Sequence, residues 1–108
     1  MLFPIGAALL DAIVLSVVAR EGTYGYRITQ DVRGFISVSE STLYPVLRRL
    51  QKEDCLEVYD QEFAGRNRRY YTLTGKGRSQ LNLYLEEWKL YKRKLDNAFF
   101  GGVVNEQE

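Results

Sequence analysis

The sequence predicts a mainly α-helical chain that carries one β-hairpin, and so a fold of the α+β class. Three observations lead to this prediction. Apolar residues recur at helical spacing near both ends of the chain, two runs rich in Val, Tyr and Phe lie between them, and a Gly-containing turn separates those runs. A length of 108 residues suffices for one modest hydrophobic core and not for two.

The first two helices are predicted from an apolar stripe and from residues that begin and end helices. Between residues 10 and 18, apolar side chains recur at every third or fourth position, which predicts a helix over 7–21. Gly22 can end this helix, because glycine readily adopts the left-handed conformation that follows a helix. The hydroxyl of Thr23 can cap a second, short helix over 24–32.

A third helix is predicted to begin at Ser39 or Ser41 and to continue to about residue 53. Pro45 affects the choice between the two, since proline lacks the N–H group that a helix interior needs. A start at Ser41 places Pro45 in the first turn or just beyond it, where proline is tolerated.

The hairpin and the last helix occupy the second half of the chain. Residues 56–63 and 68–73 carry the β-branched and aromatic side chains typical of strands, and residues 64–67 are expected to form the turn between them. Thr74 can then cap a long helix over 75–100, whose apolar residues again follow one face.

The basic residues of the chain are concentrated in one stretch, although the net charge is only +1. Residues 64–78 include no Asp or Glu, and their cations are Arg66, Arg68, Arg69, Lys76 and Arg78. Acidic residues that balance this stretch lie just before it, between Glu53 and Glu62. A local positive patch of this kind is typical of a nucleic-acid contact, which the net charge of the whole chain conceals.

Several enzyme and metal-site chemistries are excluded by residue types that the chain lacks. It has no His, so His-based acid–base catalysis and a His-ligated zinc site are excluded. Cys55 is its single cysteine, which rules out an intrachain disulfide and suits a reducing compartment. We therefore expect no enzymatic activity, no cofactor and no metal site.

A membrane span or an export signal is also disfavoured. Residues 2–19 are nearly all apolar, but no Lys or Arg precedes them, as a signal peptide would require. Asp11 lies in the middle of the run, where a charge costs about 2.5–3.5 kcal/mol on membrane insertion. We expect a cytoplasmic protein without membrane contact.

The predicted order of elements is that of a winged helix-turn-helix. In this fold the third helix enters the major groove of DNA, and the hairpin, called the wing, contacts the backbone or the minor groove. The residues predicted to contact double-stranded operator DNA are Ser39, Ser41, Thr42, Tyr44, Arg48 and Arg49 of the third helix, and Arg66, Asn67 and Arg68 of the wing. Each feature alone is also common on a solvated surface, and their combination favours DNA. The alternative is a dimeric protein-interaction adaptor that uses the winged helix without binding DNA.

Three segments of the chain resemble the PadR family of bacterial transcriptional regulators. They are TYGYRITQDV at 23–32, SESTLYPVLRRLQKEDCL at 39–56 and GRNRRYYTLTGKGRSQL at 65–81. The resemblance extends over roughly residues 9–100, and the short length and single C-terminal helix are similar to the compact, LmrR-like branch of the family. It implies a homodimeric repressor that binds an operator and is released by a ligand or another signal.

The resemblance also implies how the chain is organised. Residues 1–74 would form a winged helix-turn-helix DNA-binding domain, 75–100 a C-terminal dimerisation helix, and 101–108 a disordered tail. In the compact branch the last helix packs across the first helix of the partner, around a pore that takes flat aromatic compounds. The residues that would line the pore here are Ile5, Ala12, Ser16, Trp88 and Lys92. Trp88 would either stack on such a ligand or only anchor the dimer.

Three features depart from the family pattern. Gly75 and Gly77 both fall in the first turn of the last helix, where one Gly is usual, and are expected to loosen that turn. The segment 34–38 between the second and third helices is short. Lys92 stands where the drug-sensing relatives tend to carry an acidic residue, so a neutral or anionic aromatic ligand is expected rather than a cation.

Overall fold

A computed structural model describes residues 6–101, and within them four helices and a three-stranded antiparallel sheet form a winged helix. The elements in chain order are α1 (Ala7–Arg20), β1 (Thr23–Tyr24), α2 (Gly25–Arg33), α3 (Glu40–Lys52), β2 (Leu56–Phe63), β3 (Arg66–Leu73) and α4 (Gly75–Phe100). The predicted α+β class is confirmed. Where the sequence predicts one residue as the start or end of a helix, the observed start or end lies within one residue of it.

The short strand β1 is a feature that the sequence analysis does not predict. Thr23 and Tyr24 pair antiparallel with Tyr71 and Tyr70 of β3, so the strand order in the sheet is β1-β3-β2. The prediction that Thr23 caps α2 is wrong, because Tyr24 is the residue that precedes the helix, and it makes no side-chain cap bond. Two residues are too few to show an alternating pattern of burial.

The turn of the hairpin is shorter than predicted. Strands β2 and β3 pair along their whole lengths, which leaves only Ala64 and Gly65 between them. Both turn residues have a positive φ, 54° and 77° respectively, as a two-residue type I′ turn requires to match the twist of the strands. Arg66 and Asn67 are therefore the first residues of β3 and not part of the turn.

Of the two predicted caps of α3, Ser39 is the one used. Its Oγ accepts a hydrogen bond from the backbone N–H of Thr42 at 3.2 Å. The argument from Pro45 for a later start is wrong, since Pro45 lies inside the helix, beyond its first turn. Pro45 cannot donate to the carbonyl of Ser41, but Ser41 is exposed, so water can take that bond.

The hydrophobic core lies where the first three helices meet the base of the sheet. Leu15, Val32 and Leu47 are fully buried at its centre, one from each helix. Leu56 and Tyr71 close the core from the sheet. Each fully buried Leu contributes roughly 1.5–3 kcal/mol relative to an exposed one, so this core holds α3 and the hairpin in one rigid frame.

The start of α4 is firmly fixed. Thr74 Oγ1 accepts a hydrogen bond from the Gly77 N–H at 2.9 Å and donates one to the Asp54 carbonyl at 2.6 Å. Gly77 packs so closely on the Cys55 carbonyl that an added Cβ would overlap its oxygen. The predicted loosening of this turn by Gly75 and Gly77 is wrong, because Gly77 is the residue that permits the close packing.

Candidate nucleic-acid interface

The start of α3 presents a cluster of exposed hydroxyl groups. Ser39 Oγ lies 3.0 Å from both Ser41 Oγ and Thr42 Oγ1, in addition to its cap bond. All three side chains are exposed. Because a hydroxyl both donates and accepts hydrogen bonds, the cluster can face either kind of group at the edge of a base. The structure thus brings together three of the residues predicted to contact DNA.

Glu40, the first residue of α3, is held by α2. Its carboxylate accepts a hydrogen bond from Gln30 Nε2 at 2.7 Å and pairs with Arg33 Nη1 at 3.4 Å. Arg33 Nε also donates to the Val38 carbonyl at 2.9 Å. These bonds tie the turn between α2 and α3 together, and they offset a negative charge that would otherwise repel a phosphate.

The wing holds Arg66 and Arg68 in different settings. Arg66 is exposed at the tip, directly after the turn. The Arg68 guanidinium lies over two aromatic rings, 4.3 Å from the centroid of Tyr24 and 5.3 Å from that of Phe63. Stacking orders a guanidinium through its flat face and leaves the N–H groups at its edge free to donate. Arg68 therefore joins the wing to β1 while keeping its donors.

A cleft of about 580 Å³ lies between the wing and the starts of α2 and α3. Its lining residues are Tyr24, Gly25, Tyr26, Tyr44, Arg66, Asn67, Arg68, Arg69 and Tyr71. The cleft therefore joins Tyr44 of the third helix to the three predicted wing residues. Tyr26 is 55% exposed and is one of the residues that line the cleft. Its place at the cleft depends on β1, which leaves no periodic signal in the sequence.

Tyr71 lies beneath the cleft and connects the charges of α3 with those of the wing. Burial raises the pKa of Tyr71, and the positive charges of Arg69 and Arg48 partly offset that rise. Both cations are thus close enough to the Tyr71 hydroxyl to act on it. Arg48 is exposed, and Arg69 forms an exposed ion pair with Asp60 at 3.5 Å. Helix α3 and the wing therefore each place a cation near Tyr71.

Arg49 is engaged within the protein, in contrast to its predicted role at a phosphate. Its Nη2 donates to Asp11 Oδ1 of α1 at 2.5 Å, and its Nη1 lies 3.3 Å from Glu53 Oε1. The hydrogen bond to Asp11 raises the pKa of Arg49 above its usual value. The sequence could not reveal this pairing, because the two partners are 38 residues apart.

A second concave surface is a groove of about 600 Å³ between α1 and α4. Ala12, Ser16 and Trp88, three of the predicted pore residues, all line it. Trp88 is 41% exposed, and its ring centroid lies 6.3 Å from that of Tyr91. The groove thus combines apolar walls with an accessible aromatic face.

The other two predicted pore residues are Lys92 and Ile5. Lys92 is not among its lining residues, and the charged side chains that do line it are Arg20 and Glu87. Lys92 therefore does not set the charge of the groove within one chain. Ile5 lies outside the described residues.

Neither a metal site nor a membrane span is found among the described residues. Within residues 6–101, no three side chains of Cys, Asp or Glu come together in a way that could hold a metal ion. In the same range no helix is long and apolar enough to cross a membrane.

The chain is similar to known proteins over most of its length. A sequence model of the transcriptional regulator PadR-like family matches residues 14–83. The crystal structure of smu.1704 from Streptococcus mutans UA159 is 38% identical, with a TM-score of 0.88, and the match covers 98% of this chain and 100% of that one. A PadR-like transcriptional regulator from Bacillus cereus is 32% identical, with a TM-score of 0.78 over 86% of this chain and 93% of that one. Bacillus subtilis PadR, crystallised in complex with operator DNA, is 26% identical with a TM-score of 0.64, over 70% of this chain and 46% of that one.

Proposed function

The chain belongs to the PadR-like family of transcriptional regulators, and we propose that it represses transcription by binding operator DNA as a homodimer. A member of this family is a regulator and not an enzyme. The observation that carries the proposal is the cleft between the wing and α3, which tyrosines and arginines line, together with the hydroxyl cluster at the start of the same helix. Hydroxyls suit base edges and arginines suit phosphates, which are the two kinds of contact that a DNA reader needs.

The base-edge contacts are assigned to the start of α3. Ser41, Thr42 and Tyr44 face the major groove in this proposal, because the first turns of a recognition helix are the ones that reach the bases. Ser39 contributes through its cap bond, which fixes the backbone and orients the hydroxyls of Ser41 and Thr42.

The phosphate contacts are assigned to cations of α3 and of the wing. Arg48 continues along α3, and Arg66 and Arg68 lie on the wing with Asn67 between them. Arg49 is not assigned a phosphate contact, because its guanidinium already pairs with Asp11 and Glu53.

Helix α4 supports the homodimer. Of its 26 residues, only Gly77 and Leu81 are buried, although Leu85, Trp88 and Tyr91 add exposed apolar surface further along. A helix that extends beyond its core is only marginally stable in water. A second copy of the chain on this surface would bury it with two-fold symmetry, the commonest arrangement of soluble oligomers. The dimer would then present two α3 helices to half-sites about 34–36 Å apart.

Release from DNA is assigned to an aromatic ligand that enters the groove between α1 and α4. The exposed ring of Trp88 offers a stacking face, and Ala12 and Ser16 leave room opposite it. Arg20 and Glu87 supply one charge of each sign, so the groove does not select for cations or anions by net charge.

Fluorescence of Trp88, the single tryptophan of the chain, tests the ligand. A stacked aromatic compound quenches it saturably. Trp88→Ala, which has no tryptophan fluorescence and is therefore measured by equilibrium dialysis, loses binding while the dimer stays intact. The opposite result is a Trp88→Ala variant that splits into monomers, with no quenching of the wild type by aromatic compounds. Trp88 is then a dimer anchor, and release must come from another signal.

The proposal keeps the domain division that the sequence suggests. Residues 1–74 bind DNA, residues 75–100 form the dimer interface, and residues 101–108 are a tail that takes part in neither. The protein acts in the cytoplasm, where it has access to the operator DNA.

A salt-titrated gel shift tests DNA binding, with the DNA upstream of the protein's own operon as the probe. We expect binding that resists unrelated competitor DNA and weakens linearly in log–log form as salt rises, with a slope of about −0.9 per phosphate contact. Equal affinity for upstream and unrelated DNA would contradict a specific operator. A complete lack of DNA binding would favour the adaptor.

A further inference from the structure

The structure contains an ion pair between α1 and α3 that the proposed DNA contacts do not use. Asp11 is 7% exposed, and among the buried residues of 6–101 it is the one that carries a charge. Its Oδ1 accepts a 2.5 Å hydrogen bond from Arg49 Nη2. The Arg49 side chain reaches from this buried carboxylate to the surface, where it is 42% exposed.

Stability alone is a weak explanation for this pair. Taking a carboxylate out of water is costly, and well-packed apolar residues in place of a buried ion pair are often neutral or stabilising. An ion pair with a short hydrogen bond fixes the relative geometry of its two groups, since it forms only over a narrow range of distance and angle. The pair is therefore better suited to fixing the relative position of two helices than to holding them together.

The position of Arg49 on α3 determines what the pair would fix. Arg49 follows Arg48, and on a helix each residue is turned by about 100° from the one before. Glu53, the residue that directly follows α3, pairs with the same guanidinium at 3.3 Å. The Arg49 side chain is thus held by both carboxylates. A rotation of α3 about its axis would break the bond to Asp11 and would turn Tyr44 relative to the wing residues with which it lines the cleft.

We propose that Asp11 is a positioning residue for DNA recognition, which sets the rotation of α3 through Arg49. The inference rests on the proposed function, because it concerns how well α3 and the wing fit one DNA duplex. Asp11 itself touches no DNA in this proposal, since it is buried on the far side of Arg49.

The substitution Asp11→Asn separates positioning from simple electrostatics by the sign of its effect. It removes a negative charge and leaves Arg49 only a neutral amide acceptor on α1, a weaker partner than a carboxylate. An electrostatic role alone therefore predicts tighter DNA binding and a steeper salt slope. Positioning predicts weaker operator binding by about tenfold, the effect of one lost base-edge contact, with an unchanged salt slope.

Two further variants test the same bond by substituting Arg49. Arg49→Lys keeps the charge but loses the fork that binds a carboxylate, so a phosphate contact would survive it and the positioning bond would not. The double variant Asp11→Asn/Arg49→Gln removes both charges, and its Gln side chain is two bonds too short to reach residue 11. We expect it to bind operator about as weakly as Asp11→Asn alone, because both substitutions act on the same bond. Asp31→Asn is the matched control, because Asp31 is an exposed carboxylate paired with Arg27 at 3.5 Å on α2.

The experiment measures the operator affinity of the full chain by fluorescence anisotropy across a salt series. The temperature is one at which circular dichroism shows each variant to be folded. Weaker binding by Asp11→Asn and Arg49→Lys at wild-type salt slope, with Asp31→Asn unaffected, supports the proposal. Unchanged or tighter binding by either variant overturns it. If Asp11→Asn does not fold, Arg49→Lys and the double variant decide on the same criteria. If the folded wild type binds no operator, the proposed function fails, and the positioning role falls with it.

Discussion

Gly77 illustrates how a single residue sets the junction between the wing and α4. A Cβ at this position would overlap the Cys55 carbonyl oxygen and press on the Leu73 side chain at 2.9 Å. We therefore expect Gly77→Ala to lower the free energy of unfolding by about 1–3 kcal/mol, as overpacking of a close contact does. Urea denaturation followed by circular dichroism measures the change.

Gly75 provides the matched control in the same turn, because a Cβ there meets no atom within 4 Å. Gly75→Ala is expected to be neutral or to stabilise by up to about 1 kcal/mol, since Ala is the better helix former. Equal destabilisation by the two substitutions would contradict the close approach of Gly77 to Cys55.

Cys55 makes stability depend on pH in the alkaline range. Burial raises the pKa of the Cys55 thiol in the folded chain. The folded pKa thus lies above the unfolded one, and the stability that this difference provides is complete below the ordinary thiol pKa and is lost as the pH rises through the folded pKa. We expect wild type to lose more stability than Cys55→Ala between neutral pH and the range above the thiol pKa. If the free energies of unfolding of the two proteins fall equally over this pH range, the prediction is refuted.

The charged residues show what the sequence could and could not predict at this scale. It treats Arg48 and Arg49 alike, as neighbours on a basic helix. The structure separates them, because Asp11 reaches Arg49 from α1 and no local pattern encodes a pairing over 38 residues. The hydroxyl cluster was predictable, since Ser39, Ser41 and Thr42 are neighbours on the chain.

At the scale of elements, the wing depends on an arginine that both packs and faces the cleft. Arg66→Ala should lower the magnitude of the salt slope of operator binding by about one, with unchanged stability, because it removes one exposed phosphate contact. Arg68→Ala should lower the slope equally and also destabilise the chain by about 0.5–1 kcal/mol, since its guanidinium stacks on Tyr24 and Phe63. Salt-titrated binding and thermal unfolding measure the two effects. A salt slope that neither substitution changes would rule out the wing as a DNA contact.

Elements with a long periodic pattern were the predictable ones. The bounds of α1, α4 and β2 follow from stripes, caps and strand-forming residues that lie within each segment. Strand β1 and the two-residue turn escaped prediction for a common reason. Both are defined by pairing with β3, and a two-residue element carries too little sequence for periodicity to act on.

At the scale of the whole molecule, the account depends on a second copy of the chain. We expect sedimentation equilibrium to give a molar mass of twice the 12.5 kDa of one chain. Leu85→Glu should shift it toward the monomer, because it places a charge on an exposed apolar surface that the partner would bury. Lys94→Glu is the control on the same helix, since position 94 lies about 180° around the helix from position 85 and Lys94 is exposed. A wild-type monomer, or equal effects of both substitutions, contradicts the proposed interface.

Truncation gives a stronger version of the same prediction. A chain that ends after Gly77 lacks the surface of α4, so it should be monomeric or insoluble and bind operator weakly. A single recognition helix reaches one half-site, whereas a dimer spans two. A soluble truncated monomer with full operator affinity would show that the dimer is not needed for recognition.

The most direct test of the central claim is a footprint of the protein on the DNA upstream of its own operon. Hydroxyl-radical cleavage in the presence of the folded wild-type protein should show two protected stretches with centres one helical turn apart, about 10–10.5 base pairs, or a multiple of it. Arg66→Ala should weaken both stretches together. Uniform cleavage at protein concentrations that saturate the gel shift, or a single protected half-site, would contradict a homodimeric winged-helix repressor.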